Sequence, residues 1–153
     1  MISTVDDARR AVGVPGAPGL GVLIETSGTT GETKRVRISS GALRASAEAS
    51  HARLGGPGQW LLALPTTYIA GANVLVRSAI AGTEPVVMPE GHFTARDFAA
   101  CVNLMTGARR YSSLVPVQLA RLVDGAQYDE DVRTSVATLD AILVGGQASA
   151  DQL

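Results

Sequence analysis

The sequence predicts an α/β fold with a largely parallel sheet, crossover helices and an N-terminal β-hairpin. From residue 59 onward, short apolar runs alternate with segments of helical character, a pattern typical of βαβ units. Ahead of them, an apolar run, a Gly/Thr-rich segment and an alternating run indicate a hairpin. The chain has 153 residues, 46% of them hydrophobic and 18% charged, which suffices for one core but not for two.

The N-terminal part is expected to contain one hairpin and one helix. Residues 11–21 are rich in Gly and Pro, which predicts an irregular lead-in with regular structure beginning only after it. An alanine-rich segment between a serine pair and a Gly-Gly-Pro sequence predicts a capped helix. The expected elements are, in order, the strand Leu20–Thr26, the loop Ser27–Lys34, the strand Arg35–Ser39 and the helix Gly41–Leu54, capped by Ser39 or Ser40.

The remainder is expected to form the parallel sheet. The predicted strands are Trp60–Leu64, Pro85–Met88, Tyr111–Val115 and Leu139–Val144. The predicted crossover helices are Gly71–Ala81, Thr94–Thr106 with a Thr94/Asp97 capping box, and Pro116–Val123 with proline at its first position. Helices on both faces leave the carboxyl ends of the strands as the expected ligand site.

The carboxyl end predicts a domain that continues past Leu153. Residues 149–152 have the pattern of a helix N-terminus, and a single turn is too short to be stable or to cover a sheet. We therefore expect residues 1–153 to be the N-terminal part of a larger domain.

Composition and charge point to small-molecule partners. Thirteen basic and 14 acidic residues give a net charge of −1, which provides no broad positive field for nucleic acid or an anionic membrane. The single cysteine, Cys101, lies among apolar neighbours and is expected in the core, so a reducing cytoplasm is the expected location. His51 and His92 lack metal-ligand spacing, so we expect no metal site and assign both to surface or capping roles.

A hydroxyl-rich loop carries the strongest chemical signal. Glycines allow successive backbone N–H groups to face one concavity, hydroxyls add neutral donors and a lysine adds charge, a combination that suits polyphosphate oxygens. The spacing is not that of a Walker A loop, because the glycines are too close and a strand follows. A polar hairpin loop without a ligand is the alternative. The candidate phosphate ligands are Thr26, Ser27, Gly28, Thr29, Thr30, Gly31 and Lys34.

This loop resembles that of the adenylate-forming acyl-CoA synthetases, whose phosphate loop reads Thr/Ser-Ser-Gly-Thr-Thr-Gly-x-Pro-Lys. The register is free of gaps. Thr33 stands where the family usually has proline, and Arg35 where glycine is common. Neither departure removes a phosphate ligand.

A second block, Leu64–Gly71 followed by Val74–Ser78, is similar to the family's Leu-Pro-x-x-His-x-x-Gly segment. The form is that of the o-succinylbenzoate–CoA ligase branch of menaquinone biosynthesis, in which an Arg-Ser pair also follows. Tyr68 occupies the histidine position, where other branches place an aromatic that gates the acyl and thiol pocket. The alternative for Tyr68 is an aromatic packed beneath a loop.

Arg77 is the candidate for recognition of the acid. It lies in an otherwise apolar helix, with neutral Asn73 one turn before it and Glu84 beyond the helix end. A buried guanidinium without a nearby carboxylate suits a bidentate clamp on a substrate carboxylate, and o-succinylbenzoate has one besides the carboxylate that reacts. The alternative is an arginine satisfied by solvent or backbone carbonyls.

Two further blocks agree with the family, Tyr111–Leu119 and Leu143–Ala148. The resemblance implies an acyl and adenine pocket that contains Tyr68, Arg77, Ser113, Gly145, Gly146 and Gln147. It also implies ATP with magnesium, coenzyme A as co-substrate, and carboxylate adenylation followed by thioester formation. The magnesium ligand and the catalytic lysine are expected beyond Leu153, so we expect the 153-residue chain alone to be inactive. A noncatalytic nucleotide-binding or interaction module, or a synthetase for another aromatic or fatty acid, remains the alternative.

Overall fold

The computed structural model describes residues 1–14, 17–27 and 33–145. The first element is the helix α1, Val5–Val12. Thr4 Oγ1 accepts the Asp7 N–H at 3.1 Å, and the Asp7 carboxylate accepts the Thr4 N–H at 3.0 Å. The backbone of Ser3 and the Thr4 hydroxyl lower the pKa of Asp7 to about 2. The prediction that regular structure begins only after residues 11–21 is therefore wrong.

The glycine-rich segment after α1 closes that helix. Short strands β1, Gly13–Val14, and β2, Ala17–Pro18, pair antiparallel. Gly21, at φ +69°, donates its N–H to the Ala11 carbonyl at 3.0 Å, and Leu20 donates to the Arg10 carbonyl at 3.3 Å. These bonds satisfy carbonyls that would be unpaired at the helix end.

The predicted hairpin is present as strands β3, Val22–Ser27, and β4, Thr33–Ile38. The register pairs Thr26 with Lys34 and Ser27 with Thr33. The second strand therefore begins at Thr33, within the segment that was predicted as loop. Helix α2, Ser40–Arg53, follows with Ser39 as its N-cap, as the sequence predicts.

The predicted parallel sheet is confirmed, with strand order β6-β5-β7-β8 and every neighbouring pair parallel. Thr94 caps its helix as predicted, since its Oγ1 accepts the Asp97 N–H at 3.1 Å. The predicted capping box is not complete, because the Asp97 carboxylate accepts the Thr94 hydroxyl at 2.6 Å rather than the Thr94 N–H. Residues 116–128 form a longer helix than expected, and a short unpredicted helix follows it. The elements are β5 Gln59–Leu62, α3 Ile69–Ala81, β6 Val86–Val87, α4 Ala95–Asn103, β7 Arg110–Leu114, α5 Pro116–Tyr128, α6 Glu130–Val136 and β8 Ala141–Val144.

Alternation along β5 and β7 divides the core into two faces. Trp60, Leu62 and Tyr111 pack with side chains of α1, α2 and α3 on what we call the first face. Leu61 and Leu114 pack with α4, α5 and α6 on the second face. Cys101 is buried in the second face, as expected. Across the described ranges, no helix is both long enough and apolar enough to cross a membrane.

Candidate active site

Three of the sequence blocks meet at the carboxyl edge of the parallel sheet. The register aligns Leu62 of β5 with Ser113 of β7, and Ser113 with Leu143 of β8. Parallel strands end at the same edge, so the segment after β5 and Gly145 after β8 lie on the side where Ser113 lies. The topology thus places Tyr68, Ser113 and Gly145 of the predicted acyl pocket at one edge of the sheet.

The segment Leu64–Gly71 turns tightly between β5 and α3. Tyr68 donates its N–H to the Pro65 carbonyl at 3.3 Å. A Cβ added to Gly71 would lie 2.3 Å from the Pro65 carbonyl oxygen, a distance that real side chains do not reach. The glycine of this motif is therefore required for the close approach of the α3 backbone to the turn.

Gln118 fixes the start of this turn from the neighbouring helix. Its Nε2 donates to the Ala63 carbonyl at 2.9 Å, and its Oε1 accepts the Val115 N–H at 3.1 Å. Both amide ends of one side chain are used, which connects the end of β5 to the start of α5. The edge is therefore held by specific hydrogen bonds.

Tyr68 lies at the N-cap position of α3 and is 63% exposed. Its ring is not buried under a loop, so the alternative of an aromatic packed beneath a loop does not apply. An exposed phenol at the carboxyl edge is available to contact a ligand or another part of the polypeptide.

Arg77 reaches from α3 into the first face. Its Nε donates to Ser50 Oγ at 3.2 Å, and its Nη1 lies 3.5 Å from Ser113 Oγ. Its Cζ lies 5.0 Å from the centre of the Trp60 ring, within cation–π range. The structure therefore brings Arg77 and Ser113 together, as the predicted pocket requires. We call these three partners of Arg77, Arg77 itself, and His51, which follows Ser50 on α2, the Arg77 cluster.

The Arg77 cluster has more donors than acceptors. Arg77 is partly buried, and the reduced hydration of its guanidinium lowers its pKa from the ordinary value. Within the described residues, no carboxylate forms an ion pair with Arg77, and His51 Nε2 and Trp60 Nε1 are buried without hydrogen-bond partners. A guanidinium with unused donors in a partly buried position suits a bound anion.

His51 lies inside the protein rather than at its surface. It is 7% exposed, and burial, together with the positive charge of Arg77, lowers the pKa of its imidazole. The expected surface or capping role is therefore wrong for His51, although His92 is exposed as expected. The sequence did contain a signal, because Leu43, Ala47 and His51 recur every four residues and form the buried stripe of α2.

A separate cleft of about 870 Å³ opens at the carboxyl ends of β5 and β6. Thr66 and Thr67 of the second block line it, whereas Tyr68, Arg77 and Ser113 do not. In the part of the chain that the structure describes, the Arg77 cluster is therefore not part of this open cleft. The other lining residues come chiefly from three stretches, 62–65, 84–93 and 115–121.

The structure leaves the predicted phosphate loop largely untested. Thr26, Ser27 and Lys34 have paired backbones in β3 and β4, but residues 28–32, with Gly28, Thr29, Thr30 and Gly31, lie outside the described ranges. Gly146 and Gln147 also lie outside them. Gly145 donates its N–H to the Leu114 carbonyl at 3.2 Å and has open space where a Cβ would be. Among the residues described, no group of three or more metal-ligating side chains is found, so no magnesium ligand is assigned.

Residues 14–153 match the family described as AMP-binding enzyme. The chain is 45% identical over 126 residues to a probable 2-succinylbenzoate–CoA ligase of Mycobacterium tuberculosis, covering 82% of this chain and 32% of that protein. It is 28% identical over 130 residues to a 2-succinylbenzoate–CoA ligase of Lactococcus lactis, covering 84% of this chain and 26% of that protein. This chain thus spans about a third or less of the curated relatives it matches.

This chain also matches solved structures of o-succinylbenzoate coenzyme A synthetase. The O-succinylbenzoate coenzyme A synthetase of Bacillus subtilis in complex with AMP matches with a TM-score of 0.64 at 31% identity, over 81% of this chain and 30% of that one. The Bacillus subtilis enzyme in complex with its acyl-adenylate intermediate matches with a TM-score of 0.64 at 30% identity, over 83% and 31% of the two chains.

Proposed function

Because this chain belongs to the AMP-binding enzyme family, we propose that it forms the front part of the large domain of an ATP-dependent acid–CoA ligase whose acid is o-succinylbenzoate. The substrate carboxylate attacks the α-phosphate of ATP and displaces pyrophosphate, giving an acyl adenylate. The thiol of coenzyme A then displaces AMP and forms the thioester. The resemblance to relatives named for this acid supports the choice of substrate.

The observation that carries the proposal is the donor excess of the Arg77 cluster. Arg77 has only hydroxyl partners and an aromatic face among the described residues, and ring nitrogens of His51 and Trp60 are buried without partners in the same cluster. o-Succinylbenzoate has two carboxylates, and only one of them reacts with ATP. The guanidinium binds the other, and the Ser113 hydroxyl at the strand end orients it.

The remaining site residues receive complementary roles. Lys34 and the hairpin residues Thr26, Ser27, Gly28, Thr29, Thr30 and Gly31 hold the phosphates of ATP and the departing pyrophosphate. Tyr68, exposed at the carboxyl edge, borders the passage for the acyl group and the thiol. Gly145, Gly146 and Gln147 follow β8 and border the adenine and the acyl group.

The test compares two acids in the full-length gene product. We expect acid-dependent pyrophosphate release and thioester formation with o-succinylbenzoate, and at least thirtyfold lower kcat/KM for the analogue in which the nonreacting carboxylate is an amide. This follows from the cost of about 2–5 kcal/mol for leaving one member of a buried charge pair unpaired. Equal kcat/KM for the two acids would overturn the assignment of the substrate.

Lys34→Ala tests the phosphate loop in the same assay. We expect kcat/KM for ATP to fall roughly ten- to a thousandfold, the range for loss of one charge-assisted contact to a transition-state phosphate. Arg37→Ala, in the same strand and exposed, is the matched control and should change kcat/KM less than about twofold. A loss below about threefold for Lys34→Ala would mean that the loop does not bind phosphate.

A further inference from the structure

His51 is the buried titratable group that the proposed function does not yet use. It lies on the α2 stripe that packs toward α3, and its Nε2 has no hydrogen-bond partner within the described residues. Leaving a buried polar atom unpaired costs about 1–3 kcal/mol, so native proteins rarely retain one without a compensating contact. We therefore expect His51 Nε2 to have a hydrogen-bond partner other than the described residues.

The position of His51 relates it to Arg77. The residue before it, Ser50, accepts the hydrogen bond from Arg77 Nε at 3.2 Å. Burial is the main cause of the lowered pKa of His51, and the charge of Arg77 acts in the same direction.

The charges around His51 favour a neutral ring while the site is empty. Arg77 faces it from α3 and disfavours protonation, whereas Glu48, on its own helix, acts in the opposite direction and more weakly. The cluster members from β5 and β7, Trp60 and Ser113, carry no charge. A neutral imidazole can carry its single proton on Nε2 and donate it.

A carboxylate bound by Arg77 would supply the acceptor that His51 lacks. A carboxylate has about four lone-pair positions, and a bidentate guanidinium uses two of them. Resting on the proposed function, we infer that His51 Nε2–H donates to the carboxylate that Arg77 binds, and that His51 is thereby a specificity-determining residue for acids with a second carboxylate.

The experiment measures KM for o-succinylbenzoate, for its amide analogue and for ATP in the full-length gene product. His51→Phe keeps the ring volume and removes the donor, so KM for o-succinylbenzoate should rise about tenfold or more, the value of one hydrogen bond to a charged group. The KM values for the amide analogue and for ATP should stay within about twofold. His51→Gln restores an N–H donor and should recover KM to within about threefold of the parent.

The matched control is Ser78→Ala. Ser78, on α3, is also fully buried with an unpartnered hydroxyl, and the proposal gives it no role in binding the carboxylate. It should leave all three KM values unchanged.

A second measurement needs no variant, because the bound carboxylate favours protonation of His51. Because the pKa of His51 without ligand lies below the ordinary 6.5, binding of o-succinylbenzoate should take up protons and tighten as the pH falls toward and below about 6.5, and His51→Gln should abolish the uptake.

The outcomes separate the two proposals. If the parent enzyme does not distinguish the acid from its amide analogue, the proposed function fails whatever His51 does. If the parent distinguishes them but His51→Phe raises KM equally for both acids, or His51→Gln recovers nothing and proton uptake is absent, the role of His51 is overturned and the proposed function stands.

Discussion

The two faces of the parallel sheet are both closely packed, but they differ in whether their buried polar atoms have hydrogen-bond partners. On the second face, Phe98, Val102 and Leu122 form an apolar core, and the one buried hydroxyl of β7 there, on Ser112, donates to the Leu61 carbonyl at 3.0 Å. The first face contains Arg77 and all three buried side-chain atoms without partners that occur in the described ranges, on His51, Trp60 and Ser78.

If the proposed function holds, this difference separates the packing that stabilises the fold from the residues that bind the acid. A satisfied apolar face contributes to folding, whereas unpaired donors oppose folding until a ligand arrives. Burial alone would not distinguish the faces, since residues that are fully buried occur on both. In the described ranges, the buried polar atoms without partners therefore lie on the face at which we propose that the acid binds.

The largest expected effect is on the second face. Phe98 is fully buried, and Phe98→Ala should lower the free energy of unfolding by about 3–5 kcal/mol because it leaves a cavity. Denaturant titration measures this, and the affinity of the folded fraction for o-succinylbenzoate should be unchanged. A loss below about 1 kcal/mol, or a selective loss of acid binding, would contradict the division between the faces.

The next largest effect is on the first face, where use of the acid should change and stability should not fall. Arg77→Met keeps the aliphatic stem and removes the charge, so kcat/KM for o-succinylbenzoate should fall at least thirtyfold, with KM for ATP nearly unchanged. Because the arginine is poorly hydrated, the melting temperature should stay level or rise. A lowered melting temperature with equal defects for acid and ATP would indicate a structural arginine.

A smaller effect is expected at the edge that joins the faces. Gly71→Ala forces a Cβ to within 2.3 Å of the Pro65 carbonyl oxygen, so the turn must move, at a cost of about 1–3 kcal/mol in unfolding free energy. Gly145→Ala is the control, because no described residue lies within 4 Å of the added atom and the change should stay within about 0.5 kcal/mol. Equal effects of the two substitutions would show that the close approach does not constrain the turn.

The smallest effect is a pH dependence of stability that arises from His51. Burial and the Arg77 charge hold its folded-state pKa below the ordinary value of 6.5, so the unfolded state binds protons more readily. Its contribution is fully present above about pH 6.5 and is lost as the pH falls through the folded-state pKa. His51→Gln should flatten the profile of melting temperature against pH below pH 6.5, and His92→Gln, at an exposed position, should not. Identical profiles for the two variants would contradict this.

The parallel sheet was predictable because its strands are short apolar runs at regular spacing. The two helices that were missed, α1 and α6, are only 8 and 7 residues long and bury few side chains. Their signals lie in their caps, Thr4 and Asp129, whose side chains accept backbone N–H groups. In segments this short, a capping residue alone does not predict a helix.

The candidate site was predictable where one residue type stands out from its neighbours. Arg77 in an apolar helix is such a case, and the structure places it beside Ser113. His51 and Ser50 were missed because alanine on several sides of α2 obscures which side is buried. Trp60 was placed correctly in a strand, but its role as a platform for Arg77 depends on a contact between distant elements, which no local pattern reveals.

Trp60 also gives the protein an optical property. It is the single tryptophan of the chain, fully buried, with the Arg77 Cζ 5.0 Å from its ring centre and the Tyr111 ring centre at 5.2 Å. Indole fluorescence from residues 1–153 therefore originates from one position, beside the guanidinium that we propose to bind the acid. An anion bound by the Arg77 guanidinium changes the electric field at the indole, and this changes the wavelength and intensity of the emission. Occupancy of the site can thus be followed by light, without a label and without turnover.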